Sequence, residues 1–195
     1  MNFLQDQLYH IYNRGNNQQP VFFSDANYLF FLQKIRKHIM PFCDILNYCL
    51  MPNHFHFLVY ATAKTLQTKM IGRQEKNIFS EGFKNLLSSY AQAINKQNKR
   101  TGSLFQQNTK AKCRIEGSSN YAPVCFHYIH QNPWKAGIVS KMEEWKFSSF
   151  IDFAGLRNGT LCNKQLAFQL IDLDPKRFYE DSYKVADDDS LNHIF

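Results

Sequence analysis

The stretch from Phe42 to Tyr60 narrows most sharply what this chain can fold into. Phe42 to Leu50 is a dense apolar run, Met51-Pro52-Asn53 is a turn signal, and His54 to Tyr60 is apolar apart from two histidines. Strands so close in sequence pair as an antiparallel hairpin, so an antiparallel sheet is expected. Side chains alternate faces along a strand. His54 and His56 therefore point one way, while Phe55, Phe57 and Val59 point the other and supply a core face. Two imidazoles side by side on a strand form a preset pair of nitrogen ligands. Ordinary half-exposed strand residues give the same spacing, and the stretch by itself leaves both readings open.

The rest of the chain supplies partners for this hairpin. Leu8 to Tyr12 alternates as a first strand and ends in the turn-prone Asn13 to Asn17. Ser24-Asp25 caps a helix expected over 26–39, with Tyr28, Phe31, Leu32, Ile35 and Ile39 on one face, and Pro41 stops it. Residues 61–76 are polar and weakly patterned, which predicts a loop with one helical piece. A second helix is expected over 78–99, striped by Phe79, Phe83, Leu86, Leu87, Tyr90 and Ile94. Ala111 to Glu116 suits a fourth strand. Ser118-Ser119-Asn120 then caps a third helix, which Asn132-Pro133 is expected to end. Two short helices, around 164–171 and 175–183, precede an acidic end at Asp187-Asp188-Asp189 that is expected to be mobile.

Charge points to a class of partner. The formal net charge is +7 and the pI about 9.1, which favours an anionic partner such as nucleic acid. Lys96, Lys99, Arg100, Lys110, Lys112 and Arg114 fall in one stretch without an acidic residue, around Phe105 and several amides. That mixture suits a single strand, with cations for phosphates and a ring for bases; a solvated helix end and loop fits it equally. Arg14, Asn16 and Asn17 on the first loop are further candidates for nucleic-acid contact. The five cysteines are odd in number and scattered, and MNFLQDQLYH has neither the basic run nor the apolar core of a signal peptide. Reduced thiols in a cytoplasm are therefore expected. Cys43, Cys49, His54 and His56 have a spacing that matches no common zinc pattern. No run of about 18 apolar residues exists, so no membrane span is expected.

On the third helix Tyr128 and Asn132 share one face. Periodicity alone makes Tyr128 a core aromatic in line with Val124. Three stretches change that reading: HIYNRGNN from His10, MPNHFHFLV from Met51 and YIHQNPWKAGIV from Tyr128. They occur in this order in REP-associated tyrosine transposases, and RTGSLFQ from Arg100 and WKFSSF from Trp145 support the match. The sequence resembles that family over Tyr9 to Gly155. Its members belong to the single-tyrosine HUH nucleases, named for a His, a hydrophobic residue and a His.

The resemblance implies an α+β chain, with a ferredoxin-like or RRM-like antiparallel sheet carrying helices (the HUH nuclease fold). Residues 1–155 would form that domain, and 156–195 a helical C-terminal extension with an acidic tail, onto which no function is carried. It implies a metal-dependent tyrosine transposase, a single-stranded DNA endonuclease and strand transferase acting on a palindromic hairpin through a 5′-phosphotyrosine intermediate. Tyr128 matches the nucleophile, with Tyr90 as the rival on another helix. His54, His56 and Asn132 match the ligands of a divalent metal, Mg²⁺ or Mn²⁺; imidazole suits Mn²⁺ better. His130, beside the nucleophile, is a candidate to touch DNA or relay a proton. A monomer is expected. The alternative is a non-catalytic RRM-like module that binds single-stranded nucleic acid on the same sheet.

Overall fold

The hairpin expected around Met51-Pro52-Asn53 forms, and the rest of a sheet assembles on it. The computed structural model describes residues 2–113 and 121–184. Along the chain come β1 (Leu8–Arg14), α1 (Asp25–His38), β2 (Cys43–Met51), β3 (His54–Ala61), β4 (Thr68–Ile71), β5 (Gln74–Asn77), α2 (Ile78–Gln97), β6 (Lys110–Cys113), α3 (Tyr121–Lys135), α4 (Phe150–Phe153), α5 (Lys164–Ile171) and α6 (Phe178–Tyr183). Four strands make one sheet in the order β2-β3-β1-β6, each antiparallel to its neighbours. Thus β3 lies between β1 and β2, which the α1 crossover joins, and α2 leads to the edge strand β6. This is the ferredoxin-like arrangement.

Alternation along the strands sends side chains into two cores. On one face Ile11, Phe55, Phe57 and Val59 pack with Phe31 and Ile35 of α1 and Phe83 and Tyr90 of α2. On the other, Cys49 and Leu58 meet Cys125, Phe126 and Ile129 of α3, joined by Phe150, Ile171 and Phe178 of α4, α5 and α6. The extension after Gly155 therefore shares a core with the sheet. Burial on both faces accounts for the nearly unbroken apolar runs of β2 and β3, since each fully buried Phe or Leu contributes about 1.5–3 kcal/mol. Tyr90 belongs to the first core: it is wholly buried and its hydroxyl donates to the Val21 carbonyl at 2.8 Å.

Three expectations need correction. Residues 61–76 hold, besides a short 3-10 turn at Ala63–Leu66, the hairpin of β4 and β5, which turns at Gly72 with φ 62°. Its residues are mostly exposed, so no alternation of apolar side chains marks them. Second, Asn132-Pro133 does not end α3. Pro133 sits in the last turn, and Gly137 at φ 66° ends the helix with bonds from Gly137 N–H to the Trp134 carbonyl (2.9 Å) and Ile138 N–H to the Pro133 carbonyl (2.9 Å). That left-handed cap satisfies carbonyls that a helix end leaves open. Third, Ser24 occupies the N-cap of α1 without a capping bond from its side chain. Asn27 closes that turn instead, its Oδ1 accepting from the Phe23 N–H at 3.1 Å. The expected cap at Ser118–Asn120, the end of β6 beyond Cys113 and the acidic end lie outside the described residues.

Candidate active site

Register decides which side chains share the α3 face. Tyr12 of β1 lies opposite His56, and Arg14 opposite His54; on the other side of β1, Tyr12 pairs with Lys110 and His10 with Lys112. Ala111 and Cys113 turn into the first core, so Lys110 and Lys112 share the face of the histidines. α3 crosses above β2 and β3 and brings Tyr128 onto the pair. The His56 and Tyr128 ring centroids are 5.7 Å apart at 82°, and those of His54 and His56 are 4.9 Å apart at 87°. Most of α3 is buried, but Tyr128 and Asn132 keep partial exposure, one turn apart on the face that meets the histidines.

Each histidine is oriented through Nδ1. His54 Nδ1 lies 2.6 Å from Asn53 Oδ1. A carbonyl oxygen can only accept, so His54 donates there and its lone pair is on Nε2. Asn53 cannot turn over, because its Nδ2 donates to the Gln18 carbonyl at 3.1 Å. The loop after β1 is fixed on the same turn by Gly15 N–H donating to the Asn53 carbonyl at 2.7 Å. Gly15 has no room for a side chain there, since a Cβ would collide with the Gln19 carbonyl oxygen. His56 Nδ1 faces His10 Nε2 at 2.8 Å. Its Nε2 is shielded from solvent and has no hydrogen-bond partner among the described residues.

Electrostatics favour neutral rings. Burial pushes the His54 imidazole down to about 4, against a hydrogen bond with Asn132 that raises it, and Arg14 lowers it further. His56 is pushed well below the ordinary range by burial, then by His10 and His54. Neutral imidazole is the metal-ligating form. The Tyr128 phenol is raised by burial, with a hydrogen bond to Asn132 opposing. Asn132 Nδ2 also donates to the Tyr128 carbonyl at 2.8 Å. The donor set of two imidazoles and one carboxamide fits a divalent cation, and the buried Nε2 of His56, without a partner among the described residues, is an atom that such an ion would satisfy. The alternative zinc set does not converge, because Cys43 packs in the first core and Cys49 in the second.

The other sequence candidates divide. Arg14, Lys110 and Lys112 lie on the strands of the site face, and Arg14 and Lys110 are exposed. Asn16 is a tie between loops, with its Nδ2 on the Ser103 carbonyl at 3.1 Å and its N–H on the Leu104 carbonyl at 3.1 Å. Asn17 is exposed in a left-handed conformation, φ 52°. Lys96 and Lys99 are exposed at the end of α2, in the layer behind the sheet. Arg100 donates to Gln19 Oε1 at 3.0 Å and lies 6.0 Å over the Phe23 ring. Arg114 lies outside the described residues. His130 is a correction: it is fully buried, its Nε2 is 2.7 Å from Ser149 Oγ, and Phe126, Phe150, Phe153 and Phe178 surround it. It belongs to the second core and cannot contact DNA. Sequence reasoning missed His10, Asn53 and the half-buried Tyr12, whose ring stacks on His10 at 4.8 Å. Only the β1–β3 register reveals the first and third. Asn53 carried a signal as the residue beside His54 in the turn.

No protein-family model matches this sequence, and no curated protein matches it. Among solved structures, one of a REP-associated tyrosine transposase bound to a REP hairpin superposes with a TM-score of 0.56 at 15% identity, covering 80% of this chain and 86% of that one. This chain has the fold of a REP-associated tyrosine transposase.

Proposed function

We propose that this protein is a tyrosine transposase, cutting and rejoining single-stranded DNA at a hairpin. The observation that carries the reading is the meeting of Tyr128 with His54, His56 and Asn132, from a strand and a helix far apart in sequence, within one chain. The hairpin named with the structural neighbour supplies the substrate class. In the reaction the Tyr128 oxygen bonds to the scissile phosphorus as the P–O3′ bond breaks. The phenolic proton is lost, the departing 3′ oxygen gains one, and a 5′-phosphotyrosine link remains. One phosphodiester replaces another, so the strand is rejoined by the reverse attack without ATP.

The residues divide the work. Tyr128 is the nucleophile, and burial holds its proton in place until charge compensates. Asn132 hydrogen-bonds the phenol and favours the phenolate. Arg14 stands next to His54, suited to a phosphate oxygen. Lys110 and Lys112 extend positive charge along β6 for the backbone of the strand. His54, His56 and Asn132 would hold a divalent cation, Mn²⁺ or Mg²⁺, which when bound supplies Lewis-acid stabilisation of the phosphate. That one chain brings the whole set together supports a monomer as the working form.

The test is incubation with labelled hairpin oligonucleotides and Mn²⁺, followed by a denaturing gel. A covalent adduct is expected with the parent and none with Tyr128→Phe, which still binds. Tight binding without an adduct from the parent contradicts the enzyme reading and favours a binding module.

A further inference from the structure

We infer that His10 is the positioning residue for His56: its Nε2 accepts the His56 Nδ1–H and so leaves the buried His56 Nε2 as a lone pair for a cation. The inference rests on the metal-binding reading above, but its first test does not need the metal. His10 Nε2 and His56 Nδ1 are 2.8 Å apart, with ring centroids 5.0 Å apart at 21°. Both residues are almost completely buried, at 0% and 2% exposure. Water therefore cannot compete for this hydrogen bond, and the pair holds one geometry.

Direction follows from comparison of the two candidate ligands. His54 donates through Nδ1 to a carbonyl oxygen, leaving Nε2 as the lone pair, with no second tautomer compatible with that contact. His56 has the same outward atom, Nε2, buried without a partner among the described residues. If His56 instead carried its proton on Nε2, an N–H would be buried towards the site and would repel a cation. With the proton on Nδ1, the same atom is a ready ligand. A metal-bound histidine ordinarily donates its other N–H to a fixed acceptor, which sets tautomer and ring angle. Carboxylate and carbonyl are the usual acceptors; here Asn53 serves His54, and a third imidazole, supplied by β1, serves His56. The neutral acceptor keeps the site free of added negative charge, which a phosphodiester would oppose.

Nitrogen-15 NMR of metal-free, full-length protein reads the tautomer of His56 directly. The parent is expected to carry the proton on Nδ1. His10→Phe, which keeps the ring volume but has no acceptor, is expected to shift His56 towards the Nε2–H form. Manganese EPR titration then measures binding: a 10–100-fold loss of Mn²⁺ affinity is expected for His10→Phe, and a recovery to within a few-fold for His10→Gln, which restores an acceptor. A His56 in the Nε2–H form in the parent overturns the inference, as does unchanged Mn²⁺ affinity in folded His10→Phe. If His10→Phe does not fold, the parent tautomer and the His10→Gln titration still decide. If the parent binds no Mn²⁺ while His56 carries its proton on Nδ1, the positioning role stands and the metal reading fails, so the two failures are distinguishable.

Discussion

His10, His56, His127 and His130 are buried among the described residues, and they differ in what they touch. His10 and His56 touch each other beneath Tyr128. His127 faces Ser182 Oγ at 3.1 Å and His130 faces Ser149 Oγ at 2.7 Å. Burial lowers His127 to about 4, with Asp181 raising it, and pushes His130 well below its ordinary value, with His127 adding to the effect. The unfolded chain binds protons on both near pH 6.5, and the folded chain does not. Their contribution to stability is therefore full above about pH 6.5 and is lost as pH falls below it, for His127 by about 1.4 kcal/mol per pH unit down to about pH 4. Urea denaturation at pH 7 and pH 5 checks this, and His127→Gln is expected to flatten the dependence. Single residues were legible unevenly. His54 and His56 stood out because their i, i+2 spacing interrupts an apolar strand. His10, in the equally alternating LYHIY, carried no such contrast, because its role comes from a strand 46 residues away.

At the scale of elements, α3 is held from behind by the extension. Gln131 Nε2 donates to the Ser182 carbonyl at 2.8 Å, and Phe178 of α6 is buried at 1% exposure against Phe126 and His130. Removing a buried Phe ring costs about 3–5 kcal/mol through lost burial and the cavity left behind. Phe178→Ala is expected to lose stability on that scale in urea denaturation. If it lost less than about 1 kcal/mol, α6 would not be part of this core. Helices α1 and α2 were readable because a 3.6-residue apolar period survives where one face is buried. The β4–β5 ribbon was not, since exposed strands carry no such period. Pro133 removes one N–H from the α3 ladder without ending the helix, which runs on to the cap at Gly137, so the Asn132-Pro133 pair alone does not mark the end.

Across the whole molecule the sheet separates two tasks. The α1–α2 face is a structural core, and the α3 face carries the proposed site at the end where β1, β3 and β6 bring Arg14, Lys110 and Lys112 beside the histidines. The antiparallel sheet followed from the Met51-Pro52-Asn53 hairpin, while the β6 edge and the joining of His10 to the site depended on long-range pairing that no local pattern encodes. No helix among the described residues is long and apolar enough to cross a membrane. With a net charge of +7, binding to single-stranded DNA is expected to weaken with salt. Each of Arg14→Ala, Lys110→Ala and Lys112→Ala is expected to lower the slope of log K against log salt by about 0.7. Slopes unchanged in all three would remove this face as the path of the strand. The most direct measurement is mass spectrometry of proteolysed adduct after reaction with a hairpin oligonucleotide. A nucleotide mass is expected on the peptide containing Tyr128 and on no other tyrosine. A label on the Tyr12 or Tyr90 peptide, or a cut strand with no protein-linked product, would contradict it.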